Sequence, residues 1–249
     1  MSYVVRSRIH LPKPPAWTVE HPARNMYRAR PLDIVTRRYE ISWRQPEGGI
    51  GCKSSVAPAL PVFERAFSAF AQGTLIRTAD GPVAVEDLQP GDMIATADGG
   101  LQPLEWIGSM TAYPNHAELG LPPCRLFRIT DGRYGHDRNA PDLILGSAAR
   151  ILPGHLATDS SSPLHDPATL VDGQSIIAIM PVSQIRVFHL VLRRHSLLHA
   201  NGVLCESYHP GYRPASQMDE ELRVHFAALF PQVESLDTGF GALNHQRAE

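Results

Sequence analysis

Near the start of the last quarter of the chain, His189, His195, Cys205 and His209 have the chemistry of metal ligands. On a regular strand, where side chains alternate with period two, His189, Val191, Arg193 and His195 share one face. Cys205 or His209, from the segment that follows, would then add a further ligand to a zinc-like site. Histidines hydrogen-bonded within a strand pair are the more ordinary use of such positions, so no metal and no cofactor is expected. A second chemistry is nucleophilic. Ser68 carries a hydroxyl that attacks a carbonyl only when a base removes its proton, and no base stands beside it in the sequence. The chain has no G-x-S-x-G, P-loop, H-E-x-x-H or dinucleotide-binding glycine pattern, and Gly48-Gly49-Ile50-Gly51 is too short for a phosphate loop.

The elements that would position these groups are read from composition and punctuation. The 249 residues include 19 Gly and 22 Pro, which disfavours a mostly helical architecture because an interior Pro removes a donor and clashes with the preceding turn. Hydrophobic residues at 43% and charged residues at 19% are enough for a packed core. A net charge of -2 leaves no positive excess for wrapping nucleic acid. Cys52, Cys124 and Cys205 form no C-x-x-C pair, which argues against both a disulfide framework and a thiolate zinc site. Met1 to Arg8 fits no signal peptide, and no apolar run reaches the roughly 18 residues of a membrane span. A cytoplasmic protein is the expectation.

Residues 1–60 read as an extended Pro-rich arm in which only Ile34 to Trp43 has strand character. Residues 61–213 read as an all-β domain of short hairpins, with turn signals at Asp80-Gly81, Pro90-Gly91 and Asp98-Gly99. Strands are expected at 74–78, 83–85, 93–97, 103–107, 125–130, 143–145, 176–179 and 186–192. A final hairpin, 197–200 with 203–206, should fold about Asn201-Gly202. In 214–249, Met218 to Phe230 has a short amphipathic helical pattern with Asp219, Glu220 and Glu221 in its first turn, and the tail from Ser235 is expected to fray.

Within the β region, Phe70-Ala71-Gln72-Gly73-Thr74-Leu75-Ile76, then Val85-Glu86-Asp87-Leu88 and Pro90-Gly91-Asp92-Met93-Ile94, resemble the opening of a Hint domain, the fold shared by hedgehog autoprocessing domains and inteins. His189 and His195 about Leu190 to Leu192, then Ala200-Asn201-Gly202 and Glu206-Ser207-Tyr208, resemble its closing segments, in the manner of bacterial hedgehog/intein-type Hint proteins. The resemblance implies an all-β Hint fold and self-cleavage. In such a domain a Cys at the first residue attacks the preceding carbonyl to make a thioester, and a His from a second block protonates the departing amine. Thr74 belongs to the opening motif and is carried along as a candidate site residue.

Here the family's Cys position holds Ala69, and, aligned on Asp142-Leu143-Ile144-Leu145, its His position holds Ala149. Neither side chain can attack or donate a proton. Two accounts fit: replacement of Cys and His to trap a precursor, or natural loss, which the accompanying departures at Gly146, Ser147 and Ala148 favour. The ending Glu206-Ser207 in place of the intein His-Asn removes asparagine cyclisation. The expected function is a catalytically inactive scaffold or interaction module whose N-terminal segment stays attached, with the arm docking onto a protein partner. The alternative is an autoprocessing domain acting at the 68/69 bond, either trapped by substitution or running on Ser68 and on His155, which lies in a stretch resembling the hedgehog form of the His block.

Overall fold

The computed structural model describes residues 35–97, 100–114, 124–130, 134, 140–154, 162–212, 216 and 218–248. His155, residues 1–34 of the expected arm, and the Asp98-Gly99 turn lie outside these. The architecture is almost entirely antiparallel β. A hairpin of β1 (Thr36–Arg44) and β2 (Ile50–Pro58) precedes the four-residue helix α1 (Pro61–Glu64). Strands β3 (Phe70–Ala71), β4 (Leu75–Thr78), β5 (Gly81–Ala84), β6 (Met93–Thr96) and β7 (Gly100–Ala112) follow. Then come β8 (Leu126–Ile129), β9 (Leu143–Leu145), β10 (Ile151–Leu152), β11 (Ile176–Ile179), β12 (Ile185–Leu192), β13 (Leu197–Ala200), β14 (Val203–Glu206) and helix α2 (Glu220–Ala227).

β7 ties the two halves of the curled sheet together. Its first residues, 100–103, pair with β6, and 104–112 pair with β12, whose register shifts by one at Val191/Leu192. Residues 106–110 also pair with β1. From β12 the sheet continues through β3, β9, β8 and β11; from β6 it continues through β4, β13, β14 and β10. The β13–β14 turn forms as Asn-Gly chemistry dictates, with φ of 46° at Asn201 and 84° at Gly202. The Asn201 side chain also accepts from the Leu75 N–H at 2.7 Å and donates to the Pro141 and Asp142 carbonyls at 3.1 and 3.0 Å, fastening the turn to β4 and to the approach of β9.

Alternation along the strands feeds two cores. One, inside the curl, holds Phe70, Ile76, Ile94, Leu104, Phe127, Leu145, Phe188, Leu190 and Leu198 together with Ala69, Ala149 and Cys205. The other is aromatic and joins distant parts of the chain: Tyr39 of β1, Phe63 of α1, Phe67, Trp106 of β7, Tyr208, Phe226 of α2, Phe230 and Phe240. Phe67 and Trp106 lie 5.4 Å apart by ring centroid, Trp106 and Phe230 4.8 Å, and Phe63 meets Phe226 edge-on at 5.3 Å. The Trp106 indole N–H donates to the Leu229 carbonyl at 2.9 Å. Gly108 makes room for this packing, since a Cβ there would stand 2.1 Å from the Trp106 ring and 2.5 Å from Phe67.

Two differences from the sequence reading follow. Residues 36–58 form a full hairpin built into the sheet and the aromatic core, where only the first strand was expected. The tail does not fray through residues 244–248. Leu164 donates to the Gln246 carbonyl, Ala248 donates back to Leu164, both at 2.8 Å, and Asn244 and Arg247 reach the polar groups described next. α2 forms where expected, with the Asp219 carboxylate accepting from the Leu222 N–H at 2.8 Å as its N-cap.

Candidate functional site

The junction between residues 68 and 69 lies where α1's trailing turn enters β3. Ala69 N–H donates to the Phe188 carbonyl at 3.0 Å, and the Ala69 carbonyl accepts from Gly146 N–H at 2.8 Å. The Ser68 carbonyl accepts from Ala148 N–H at 2.9 Å. The turn between β9 and β10 therefore holds the peptide link from one side and β12 holds it from the other. Gly146 is required here: a Cβ would stand 2.2 Å from the Ser68 oxygen. An N–H aimed at the carbonyl before position 69 is the arrangement that stabilises an oxyanion during attack on that carbon.

The two positions at which the family resemblance puts the nucleophile and the proton donor carry no such groups. Ala69 and Ala149 are both buried methyl groups in the inner core. Ser68 is buried, and its hydroxyl has no hydrogen-bond partner and hence no base among the described residues. Thr74 serves the turn after β3, its hydroxyl donating to the Ala71 carbonyl at 2.7 Å. Cys205 is buried on β14, and burial pushes its thiol far up from its ordinary range, so it stays protonated.

His189 is 3% exposed, standing edge-on to Phe70 at 5.9 Å and to Tyr208 at 5.1 Å. Its Nδ1 accepts from the Leu190 N–H at 3.1 Å, which places the ring hydrogen on Nε2. Burial pushes its pKa down to about 3; Glu206 opposes this, while Arg247 and Arg150 reinforce it. His195 lies beyond the end of β12, so the shared strand face expected for the two histidines does not form. Asn244 N–H donates to His195 Nδ1 at 3.0 Å, and His195 Nε2 in turn donates to Glu206 Oε1 at 2.8 Å. Arg247 Nε donates to the same carboxylate at 2.9 and 3.2 Å. Burial alone would raise the Glu206 carboxyl; the His195 and Arg247 contacts outweigh it and leave it below the ordinary range. His209 accepts from the Gly211 N–H through Nδ1 and donates to the Gly241 carbonyl through Nε2 at 3.2 Å. Among the described residues no group of three or more His, Cys, Asp or Glu is placed to hold a metal ion.

Glu206-Ser207-Tyr208 fixes the end of the sheet through its backbone, Glu206 N–H to Arg150, Ser207 N–H to Ser196 and Tyr208 N–H to Leu190, at 2.7 to 2.9 Å. Arg65, Arg150 and Arg247, which gather around His189 and Tyr208, had no signal in the sequence. They come from three separate segments and share no spacing.

A family model described as Hint domain matches residues 68–212, more than half of the chain. The chain belongs to the Hint domain family. The Hint match begins one residue before Ala69 and ends beyond Tyr208, so it includes both alanine positions and the whole His189–Glu206 region. Among solved structures, this Hint protein is similar to the gp41-1 intein, at 12% identity over 57% of this chain and 98% of that one, with a TM-score of 0.35. It is similar to the bacterial intein-like domain from Clostridium thermocellum, at 13% identity over 57% and 99%, with a TM-score of 0.37. It is also similar to the MchDnaB-1 intein, at 16% identity over 56% and 100%, with a TM-score of 0.34. No curated protein matches the chain. Among the described residues no helix is long and apolar enough to cross a membrane.

Proposed function

We propose that this Hint domain no longer cleaves itself and serves as a scaffold or interaction module that keeps residues 1–68 attached. One observation carries the reading: the residues on either side of the junction share a single aromatic core. Tyr39, Phe63 and Phe67 precede position 69, Trp106, Tyr208, Phe226 and Phe230 follow it, and all are buried together. A segment destined for release would not supply six of the eighteen buried residues of a core to the domain that releases it. Ala69 and Ala149 fit the same reading, because neither methyl group can attack the Ser68 carbonyl or protonate the departing amine. The division into arm, Hint domain and C-terminal helix then describes sequence segments, with the hairpin 36–58 as a built-in part of the fold. The arm ahead of that hairpin is the surface proposed for docking a protein partner. The test is prolonged incubation of the full chain with hydroxylamine or a thiol. The inert reading requires the chain to remain a single band, whereas a new fragment beginning at residue 68 or 69 supports autoprocessing, residue 68 being the start that attack by Ser68 on the Phe67 carbonyl would give.

A further inference from the structure

A cleft of about 110 Å3 opens beside His189, its polar wall made by Arg65 after α1, Arg150, Glu206, Tyr208 and Arg247. At roughly 30 Å3 per water it holds three or four waters, and it is well short of the roughly 300 Å3 of a cofactor or drug-sized site. Its chemistry is one-sided. Among the described residues Glu206 is the only carboxylate on the wall, and it is already engaged by His195 and Arg247. The donors are not all engaged. The buried His189 carries its hydrogen on Nε2, and no acceptor among the described residues takes it. The Tyr208 hydroxyl makes no hydrogen bond to the described residues, and the charges of Arg247 and Arg65 both act on it. Arg65 has no acidic partner among the described residues, whereas Arg150 is paired at the rim with Asp166 at 3.3 Å. Three guanidinium groups thus face two carboxylates, with two neutral donors between them.

We propose that this cleft binds one compact oxyanion, a carboxylate or a phosphate, held by the guanidinium groups of Arg65 and Arg247, the His189 Nε2–H and the Tyr208 hydroxyl. Arg247 also donates to the His209 carbonyl at 2.7 Å, so its remaining donors face the cleft. An oxyanion supplies several acceptor lone pairs to a site with more donors than acceptors, and hydrogen bonds between charged partners are about twice as strong as neutral ones. A cation is disfavoured by the three arginines, and water, with two donors of its own, meets the excess of donors poorly. The inference does not depend on whether the chain cleaves itself.

The experiment is a titration of the full chain, at constant ionic strength, with sodium phosphate and separately with sodium acetate, against sodium chloride. The His189 imidazole resonances are followed by NMR. The proposal requires a saturable shift with phosphate, acetate or both, and the anion that saturates names the source. Arg65→Ala, a change at an exposed residue, should weaken that affinity roughly tenfold, the equivalent of one charge-assisted hydrogen bond, and Arg65→Lys should restore part of it. No saturable shift, an equal response to chloride, or unchanged affinity in Arg65→Ala would overturn it.

Discussion

The Ser68 carbonyl accepts a hydrogen bond from the Ala148 N–H at 2.9 Å, so the carbon that a Hint nucleophile would attack is still polarised by a backbone donor. In the proposed reading the nucleophile and proton-donor positions are Ala69 and Ala149, and both are buried methyl groups.

Restoring those side chains is therefore informative. Ala69→Cys alone should give slow cleavage before residue 69, visible only when hydroxylamine traps the thioester. Adding Ala149→His supplies the proton donor and should accelerate that cleavage by roughly a hundredfold or more, the usual contribution of a general acid. Time courses on denaturing gels measure both. Equal rates for the single and double variants would mean that position 149 does not face the departing amine.

Gly146 is the other half of that contact. Gly146→Ala forces a methyl against the Ser68 carbonyl, a backbone atom with no freedom to move aside. Overpacking of this kind costs about 1–3 kcal/mol, and urea denaturation should show a loss of that size. The same change in the Ala69→Cys, Ala149→His background should slow cleavage. Wild-type stability would show that the β9–β10 turn shifts freely.

The shared aromatic core makes a prediction about the cleaved protein. If the restored double variant is cut at 68/69, the two fragments should co-elute on gel filtration and part only in denaturant, because Phe63 and Phe67 stay packed against Phe226 and Trp106. Phe67→Ala should cost the intact chain about 3–5 kcal/mol and loosen the fragment complex. Separation of wild-type fragments in native buffer would show that the core does not join the two sides.

Much of the fold was legible in the sequence because turns declare themselves locally. Asp80-Gly81, Pro90-Gly91 and Asn201-Gly202 mark the turns, and β9, β11, β13 and β14 fall on the expected residues. The all-β architecture followed from them, and the Hint fold from the resemblance carried by residues 70–94 and 189–208. β2 was missed because Cys52-Lys53-Ser54-Ser55 is polar, and its strand state comes from nine residues of pairing with β1. The cluster around Glu206 was hidden for a different reason. Arg247 reaches it from 41 positions away through side-chain contacts that leave no periodic trace. The expected pairing of His189 with His195 failed because β12 stops at Leu192, before the alternation reaches residue 195.

The buried His189 predicts an acid dependence of stability. Its folded pKa, pushed down to about 3, lies below its ordinary value of 6.5. On acidification the unfolded chain binds the proton before the folded one does. The contribution is therefore complete above about pH 6.5 and is lost as pH falls from there toward 3, at up to roughly 1.4 kcal/mol per pH unit. His209, also lowered by burial, acts in the same direction. Urea midpoints at pH 7.5, 6 and 4.5 should fall less steeply for His189→Gln than for the wild type. Identical slopes would mean that the imidazole titrates normally.

Intact mass of the freshly purified full chain tests the central claim most directly. The account predicts one species at 27.4 kDa, unchanged on standing at neutral pH. A pair of products summing to that mass plus one water, with the larger beginning at Ser68 or Ala69, would contradict it.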